Sequence, residues 1–324
     1  MNEYLVEPGF ASGADISWLP MMEATGFKFR DSGGVEKDFF EILKGYGMNA
    51  IRLRAWVDPS KHPHSGHCST AETLAMGLRA KKHGMDVMVD FHYGDTWCDP
   101  GHQNKPAAWE GLSFDALADA VYRYTLDTMG GFVANGFVPK WVQIGNETNP
   151  GMLLPEGSIV NFNRLARLFD AGINAVRAAS PYTQTILHLA EGHNTEFCKS
   201  YFDAVVRCGC KFNIIGLSYY PYWAKKPNAE IIGALKETVK MAHLRFGKGV
   251  MIVEVGGVDE EEDESYEILR SVIEVCASET GCKGVFYWEP GGAKVWSGYS
   301  LSAWRADGTP SRAMDGYKLI KWRK

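Results

Sequence analysis

Several large classes of protein are excluded by what this sequence lacks. No long basic run is present, and the tail KLIKWRK (318–324) is too short to act as one. With a formal charge of -5, the chain has no electrostatic footprint for nucleic acid. No apolar stretch is long enough to span a bilayer. Neither a GxGxxG fingerprint nor a P-loop follows the first apolar run, so phosphate-cradling nucleotide folds have no anchor. Cysteine is sparse: the seven are an odd number, form no CxxC pair, and are too scattered for a disulfide framework. Cys68 with Cys98 and Cys276 with Cys282 are the pairings that spacing leaves open, whereas Cys208 and Cys210 sit too close together to bridge easily. MNEYLVEPGF does not read as a signal peptide, which leaves a cytosolic protein or the mature form of an exported one.

No Pro- or Gly-rich linker divides the 324 residues, and the one dense charge run, DEEEDES (259–265), reads as a solvated approach to a helix N-terminus. One unit recurs along the chain. A helical stretch stops at Gly, which tolerates the left-handed conformation of a helix end, and a short apolar run follows. KGYGMNAIRLRAW (44–56), KKHGMDVMVDFHY (81–93), ANGFVPKWVQIGNE (134–147), RFGKGVMIVEVGG (245–257) and GCKGVFYWEP (281–290) all follow this pattern. The apolar runs do not alternate cleanly, as expected of parallel strands buried on both faces. Weaker strands near 10–16, 185–190 and 214–220 bring the number to eight. Helical periodicity fills the intervals, as in 114–129, 160–179 and 266–277. Eight alternations in one undivided chain predict a single-domain α/β fold, a (β/α)8 TIM barrel over residues 1–324, with a doubly wound sheet as the alternative.

In such a barrel the chemistry lies at the C-terminal ends of the strands. Those ends hold Asp15, Arg52 and Arg54, Asp90 and His92, Asn146 and Glu147, Tyr219 and Tyr220, Glu254, and Trp288 with Glu289. Glu147 closes the strand VQIG, and Glu254 interrupts the apolar run MIVEV. A buried carboxylate in either place could be paired with Arg52 or Arg54 for structure alone. Two of them facing each other across a cleft are the equipment of glycoside hydrolysis, one protonated and the other ionised. The loop HYGDTWCDPGHQNKPAAW (92–109) mixes Trp97 and Trp109 with Asp95, Asp99, His102, Gln103 and Asn104, as a sugar cleft would. Trp223, Trp296 and Trp304 follow later strands and extend that aromatic set. KHPHSGHC (61–68) gathers His62, His64, His67 and Cys68, but Pro and Gly interrupt it and no carboxylate spacing supports a metal.

At these residues the chain resembles the arabinogalactan endo-β-1,4-galactanases of glycoside hydrolase family 53, retaining glycosidases built on the (β/α)8 barrel. The resemblance rests on GADISWLPMME (13–23), NAIRLRAWVDP (49–59), DVMVDFHYGDTWCDPGHQNKP (86–106), QIGNETNPGMLLPEG (143–157), GLSYYPYW (216–223), MIVEVGG (251–257) and GVFYWEP (284–290), in that order and over nearly the whole chain. It implies that Glu147 is the general acid/base, Glu254 the nucleophile, and Asn146 the partner of the 2-hydroxyl. Arg54 and Tyr220 would hold Glu254 ionised and aligned, with Tyr219 as the alternative tyrosine. His92, Asp95, Trp97 and Trp288 would bind sugar. The expected substrate is β-1,4-galactan, with no cofactor and no metal. The calcium that some relatives hold in a late loop is not expected here, because the DEEEDES segment is short and lacks that spacing. A monomer is expected, and because galactan is a polymer outside the cell, the resemblance implies export to the periplasm, the cell surface or the medium. A mannan- or glucan-cleaving relative and a sugar-binding barrel without catalysis are the alternatives.

Overall fold

The computed structural model describes residues 3–62 and 68–323. His64 and His67 of the histidine-rich segment lie outside that range. Eight parallel strands close into a barrel in chain order: β1 Ala11–Asp15, β2 Ala50–Ala55, β3 Asp86–Phe91, β4 Trp141–Ile144, β5 Gln184–Leu189, β6 Ile214–Tyr219, β7 Gly249–Val255 and β8 Cys282–Trp288. β8 pairs in parallel with β1, from Gly284 opposite Ala11 to Trp288 opposite Asp15, which completes the ring. Seven helices cover it: α1 Phe39–Gly45, α2 Thr70–Lys82, α3 Phe114–Ala134, α4 Phe162–Ala179, α5 Thr195–Arg207, α6 Asn228–Phe246 and α7 Glu262–Ser278. The 3-10 helix Arg312–Leu319 takes the eighth position. Side-chain caps start several of these helices, such as Ser69 accepting from Glu72 N and Asn194 from Phe197 N. Glu262, Asp263 and Glu264 fill the first turn of α7, where carboxylates suit the helix dipole.

Two apolar layers organise the fold. Outward-facing strand residues such as Ile51, Leu53, Val87, Val89, Leu187 and Leu217 pack against the helices. The barrel interior is apolar only at its lower end, where Ala50, Met88, Trp141, Ile186, Met251 and Phe286 meet. Each large apolar side chain buried in this way contributes roughly 1.5–3 kcal/mol. Above this plug, the same inward-facing period of two brings in Asp15, Arg52, Arg54, Asp90, Gln143, His188 and Ser218, all buried. The upper half of the barrel is therefore an ionic and hydrogen-bonded network, which the apolar plug shields from solvent below.

All seven cysteines are free thiols. The pairings left open by spacing are not formed: Cys98 Sγ contacts the Thr96 carbonyl, and the Cys276 and Cys282 thiols both approach the Gly284 carbonyl, at 4.0 and 3.8 Å. Among the described residues, no helix is long and apolar enough to cross a membrane.

Candidate active site

Glu147 and Glu254 meet at the upper mouth of the barrel. A carboxylate oxygen of each and a ring nitrogen of His188 all lie within 4.8 Å of one another. Backbone geometry brings them there. At the end of β4 the chain turns sharply, with Gly145 at φ +80° and Glu147 itself at φ +44°. A Cβ on Gly145 would lie 2.7 Å from Thr148 Cγ2, so glycine is needed at that position. Non-glycine residues at positive φ are uncommon and costly, by about 1–3 kcal/mol each. Tyr93, Glu191 and Glu289, just beyond other strands, share the conformation, so the strain gathers on the catalytic face. Gln103, from the DPGHQ segment, clamps the turn by donating to the carbonyls of Asn146 (2.8 Å) and Glu147 (3.2 Å).

Glu254 arrives by a different device. Val253 belongs to the interior plug, so strict alternation would turn Glu254 outward. The pairing of β7 with β6 shifts register between Ile252 and Glu254, so that Glu254 stands opposite Ser218. This bulge directs two successive side chains into the barrel and aims the carboxylate at the cleft.

Arg52 lies beneath Glu254. Its guanidinium is fully buried and contacts Glu254 Oε1 at 3.0 Å, Asp15 at 2.8 Å and Asp90 at 2.8 Å. Tyr220 Oη donates to Glu254 Oε2 at 3.0 Å, whereas Tyr219 points outward and donates to Asn228. The arginine expected to hold Glu254 was Arg54, and the structure corrects this. Arg54 pairs with Asp15 at 2.9 Å and Glu289 at 2.7 Å instead. It lies under three tryptophan rings, Trp18, Trp97 and Trp288, at 5.7, 4.8 and 5.2 Å from their centroids. Arg54 thus supports the aromatic floor of the cleft and leaves the carboxylate to Arg52. Asp95 is a second correction. Its two oxygens accept the backbone N–H groups of Asp58 and Ala107, so it ties the loop together and does not line the cleft. Asp99 lines the cleft in its place.

The cleft has a volume of about 410 Å³, and His92, Trp97, Asn146, Tyr220 and Trp288 line it along with the two glutamates. His92 Nδ1 accepts from Cys98 N, which leaves Nε2–H to donate to Asp90 at 3.0 Å. The Asn146 amide accepts from Arg52 at 2.8 Å and donates to the Cys98 carbonyl at 2.7 Å, which fixes its orientation. Tyr299, missed in the sequence, lines the wall beside Trp288, with ring centroids 4.8 Å apart. His188 was also missed, although it interrupts the run TILHLA just as Glu254 interrupts its own. Burial holds its pKa well below the usual imidazole value, so the ring is neutral. Nδ1 then accepts from Glu147 N, Nε2–H faces Ser218 Oγ at 2.8 Å, and Ser218 donates to Glu147 Oε1 at 2.6 Å. With both nitrogens of His188 engaged, the Glu147–His188–Glu254 cluster does not offer a free set of metal ligands.

The electrostatics separate the two carboxyls. Burial raises both. Glu147 also feels the charge of Glu254 and is pushed up to about 8, despite the Ser218 hydrogen bond. Burial raises Glu254 to about 7, with Arg52 and the Tyr220 hydroxyl opposing that rise because they favour its ionised form. With the Arg52 guanidinium at 3.0 Å and the Tyr220 hydroxyl donating to it, Glu254 is the carboxyl placed to ionise, and Glu147 is the one placed to keep its proton. A protonated carboxyl and an ionised one this close together can protonate a leaving oxygen and attack the adjoining carbon.

Comparison with known proteins agrees with this chemistry. The sequence profile of Glycosyl hydrolase family 53 matches residues 11–318. Arabinogalactan endo-beta-1,4-galactanase A of Emericella nidulans is 32% identical over 302 residues, which is 86% of this chain and 84% of that protein. The Ignisphaera aggregans GH53 catalytic domain superposes with a TM-score of 0.87 at 27% identity, covering 98% of this chain and 99% of its own. A structure from a study of two fungal beta-1,4-galactanases also reaches 0.87 at 27% identity, over 96% and 99% of the two chains.

Proposed function

The chain belongs to glycosyl hydrolase family 53, and from that premise we propose that it is an endo-β-1,4-galactanase, cleaving the galactan chains of arabinogalactan with retention of anomeric configuration. The observation that carries this reading is the closeness of the two carboxyls. Retaining glycosidases hold theirs about 5–5.5 Å apart, and inverting ones about 6.5–9.5 Å apart to admit a water. The nearest oxygens of Glu147 and Glu254 lie within 4.8 Å of each other, which supports the closer, retaining arrangement.

The reaction then proceeds in two steps. Glu254 attacks the anomeric carbon from below while Glu147 gives its proton to the glycosidic oxygen. The bond to the leaving sugar breaks, that sugar departs with a free 4-hydroxyl, and a galactosyl ester of Glu254 remains. Glu147, now a carboxylate, takes a proton from water. The oxygen of that water attacks the anomeric carbon and restores Glu254, leaving a β-configured product. Asn146, fixed by Arg52 and Cys98, has a second amide hydrogen for the 2-hydroxyl. Trp97 and Trp288 present flat faces to the apolar side of the sugar ring.

Incubation with linear β-1,4-galactan, followed by sizing of the products, tests the reading. An early spread of oligosaccharides is expected, with little release from mannan or cellulose. Cleavage of mannan or glucan in preference to galactan would overturn the substrate, and binding without cleavage would overturn the enzyme. Such a polymer lies outside the cell, so the enzyme belongs there too; activity confined to the cytosolic fraction of its source would contradict that placement.

A further inference from the structure

We infer that Cys276 and Cys282 are a latent disulfide pair, which an oxidising compartment converts into a covalent link between α7 and β8 at the base of the barrel. This holds whichever polysaccharide the cleft accepts, and it concerns the environment in which the chain matures.

Cys276 lies in the last turn of α7, and Cys282 is the first residue of β8. They are 3% and 5% exposed. Both thiols approach one oxygen, the Gly284 carbonyl, at 4.0 and 3.8 Å. The Cys276 thiol is also in hydrogen-bond contact with that of Cys282. The other buried thiols have different neighbours: Cys68 lies near Arg54, Cys98 near Asp90 and Cys210 near Asp170. Bridging Cys276 to Cys282 shortens an existing sulfur contact to a bond of about 2 Å.

The connection between them, residues 277–281, is held in place. Glu279 N donates to the Val275 carbonyl at 3.1 Å, Cys282 N to the Glu279 carbonyl at 2.9 Å, and Val250 N to the Gly281 carbonyl at 2.9 Å. His243 packs so closely on Gly281 that a Cβ there would lie 2.5 Å from it. The fold thus brings the sulfurs together before any bond joins them, which raises the effective concentration of one thiol at the other.

Burial pushes the Cys276 thiol well above its ordinary pKa, so the folded chain presents little thiolate there. Exchange therefore takes place as α7 docks on β8, and burial then protects the product. In the first step the Cys282 thiolate attacks one sulfur of a small disulfide or of a disulfide oxidoreductase, and the reagent's other sulfur leaves as a thiolate. The Cys276 thiolate then attacks the Cys282 sulfur of this mixed disulfide and expels the remaining half of the reagent. The chain gives up two protons and two electrons, and the reagent is reduced to two thiols.

The experiment produces the full chain twice, once in a reducing bacterial cytosol and once exported behind an added signal sequence. Refolding the cytosolic preparation in a glutathione redox buffer gives the same readout where export yields no protein. Each preparation is unfolded, alkylated without reductant and digested with trypsin. Both cysteines fall on one peptide, SVIEVCASETGCK (271–283). From the oxidised protein this peptide should be free of alkyl groups and two hydrogens lighter than the dithiol; from the cytosolic protein it should carry two alkyl groups. The oxidised form should melt about 3 °C higher, because the bridge restricts the unfolded chain. In Cys276→Ala the two preparations should melt together, which separates the bridge from any packing cost of the substitution. An alkylated peptide in the oxidised protein, a bridge from either cysteine to a different one, or equal melting of the two unmodified preparations would overturn the pair.

Discussion

Arg52 and Glu254 face each other at 3.0 Å across the barrel, from strands that are not neighbours in the sheet. Arg52 is fully buried and surrounded by Asp15, Asp90 and Glu254, so its charge is directed at carboxylates on three different strands. A carboxylate that is to act as nucleophile needs such a cation to stay ionised away from water.

Replacing Arg52 and replacing Arg54 should therefore have different effects. Arg52→Lys retains a charge but loses the forked contact, so kcat should fall about 100-fold and the acidic limb of the pH profile should move up. Arg54→Met leaves Asp15 and Glu289 without their common partner, and should cost about 3–5 kcal/mol of stability with the acidic limb unmoved. Kinetic pH profiles and denaturant unfolding of both variants test the assignment; the reverse pattern would return the nucleophile's cation to Arg54.

The profile of kcat/KM against pH should be a bell. Activity needs Glu254 ionised and Glu147 protonated, so it falls as pH drops through about 7 and as it rises through about 8. Ser218 donates to Glu147 and lowers its pKa, so Ser218→Ala should move the alkaline limb upward and leave the acidic limb in place. A downward shift would mean that the Ser218 hydroxyl favours the protonated acid.

Tyr220→Phe removes a hydrogen bond to a charged group, worth about 1.5–3 kcal/mol, and should lower kcat about 10- to 100-fold with the fold kept. Tyr219→Phe removes only the outward bond to Asn228 and should cost about 1 kcal/mol of stability with kcat unchanged. Steady-state rates and thermal melts of the pair separate these roles.

The sequence made part of this site legible. The eight strands could be read because glycine-ended helices lead into short apolar runs, and Glu147 and Glu254 because a charge inside such a run is costly without a purpose. Arg52 and Arg54, two residues apart, point the same way, and alternation says no more than that both face inward. Which of them meets Glu254 depends on the tilt and register of strands on opposite sides of the barrel, and these are non-local. The bulge that turns Glu254 inward leaves no mark in MIVEV, where strict alternation after an inward Val253 would place it outside. Asp95 shows the same limit in a loop: a carboxylate that binds two backbone amides and one that binds a sugar have the same local sequence.

Glu147→Gln should be more stable than the unmodified chain at pH 7.5. The folded pKa of Glu147, about 8, lies above the usual carboxyl value of 4.5, so the folded state holds a proton that the unfolded chain gives up. Stability from this group is thus full below about pH 4.5 and is lost as pH rises towards 8. The neutral amide avoids that loss. A rise in Tm of about 2–4 °C at pH 7.5, vanishing near pH 4, is expected from calorimetry. An equal shift at both pH values would place the effect in packing instead.

The most direct test of the two-glutamate account traps the intermediate. A 2-deoxy-2-fluoro-β-galactobioside with an activated leaving group should form a stable ester, and mass spectrometry of the digested protein should find the sugar on the peptide that contains Glu254. Label on Glu147, on Glu289, or on no residue of an enzyme that cleaves galactan with inversion would contradict it.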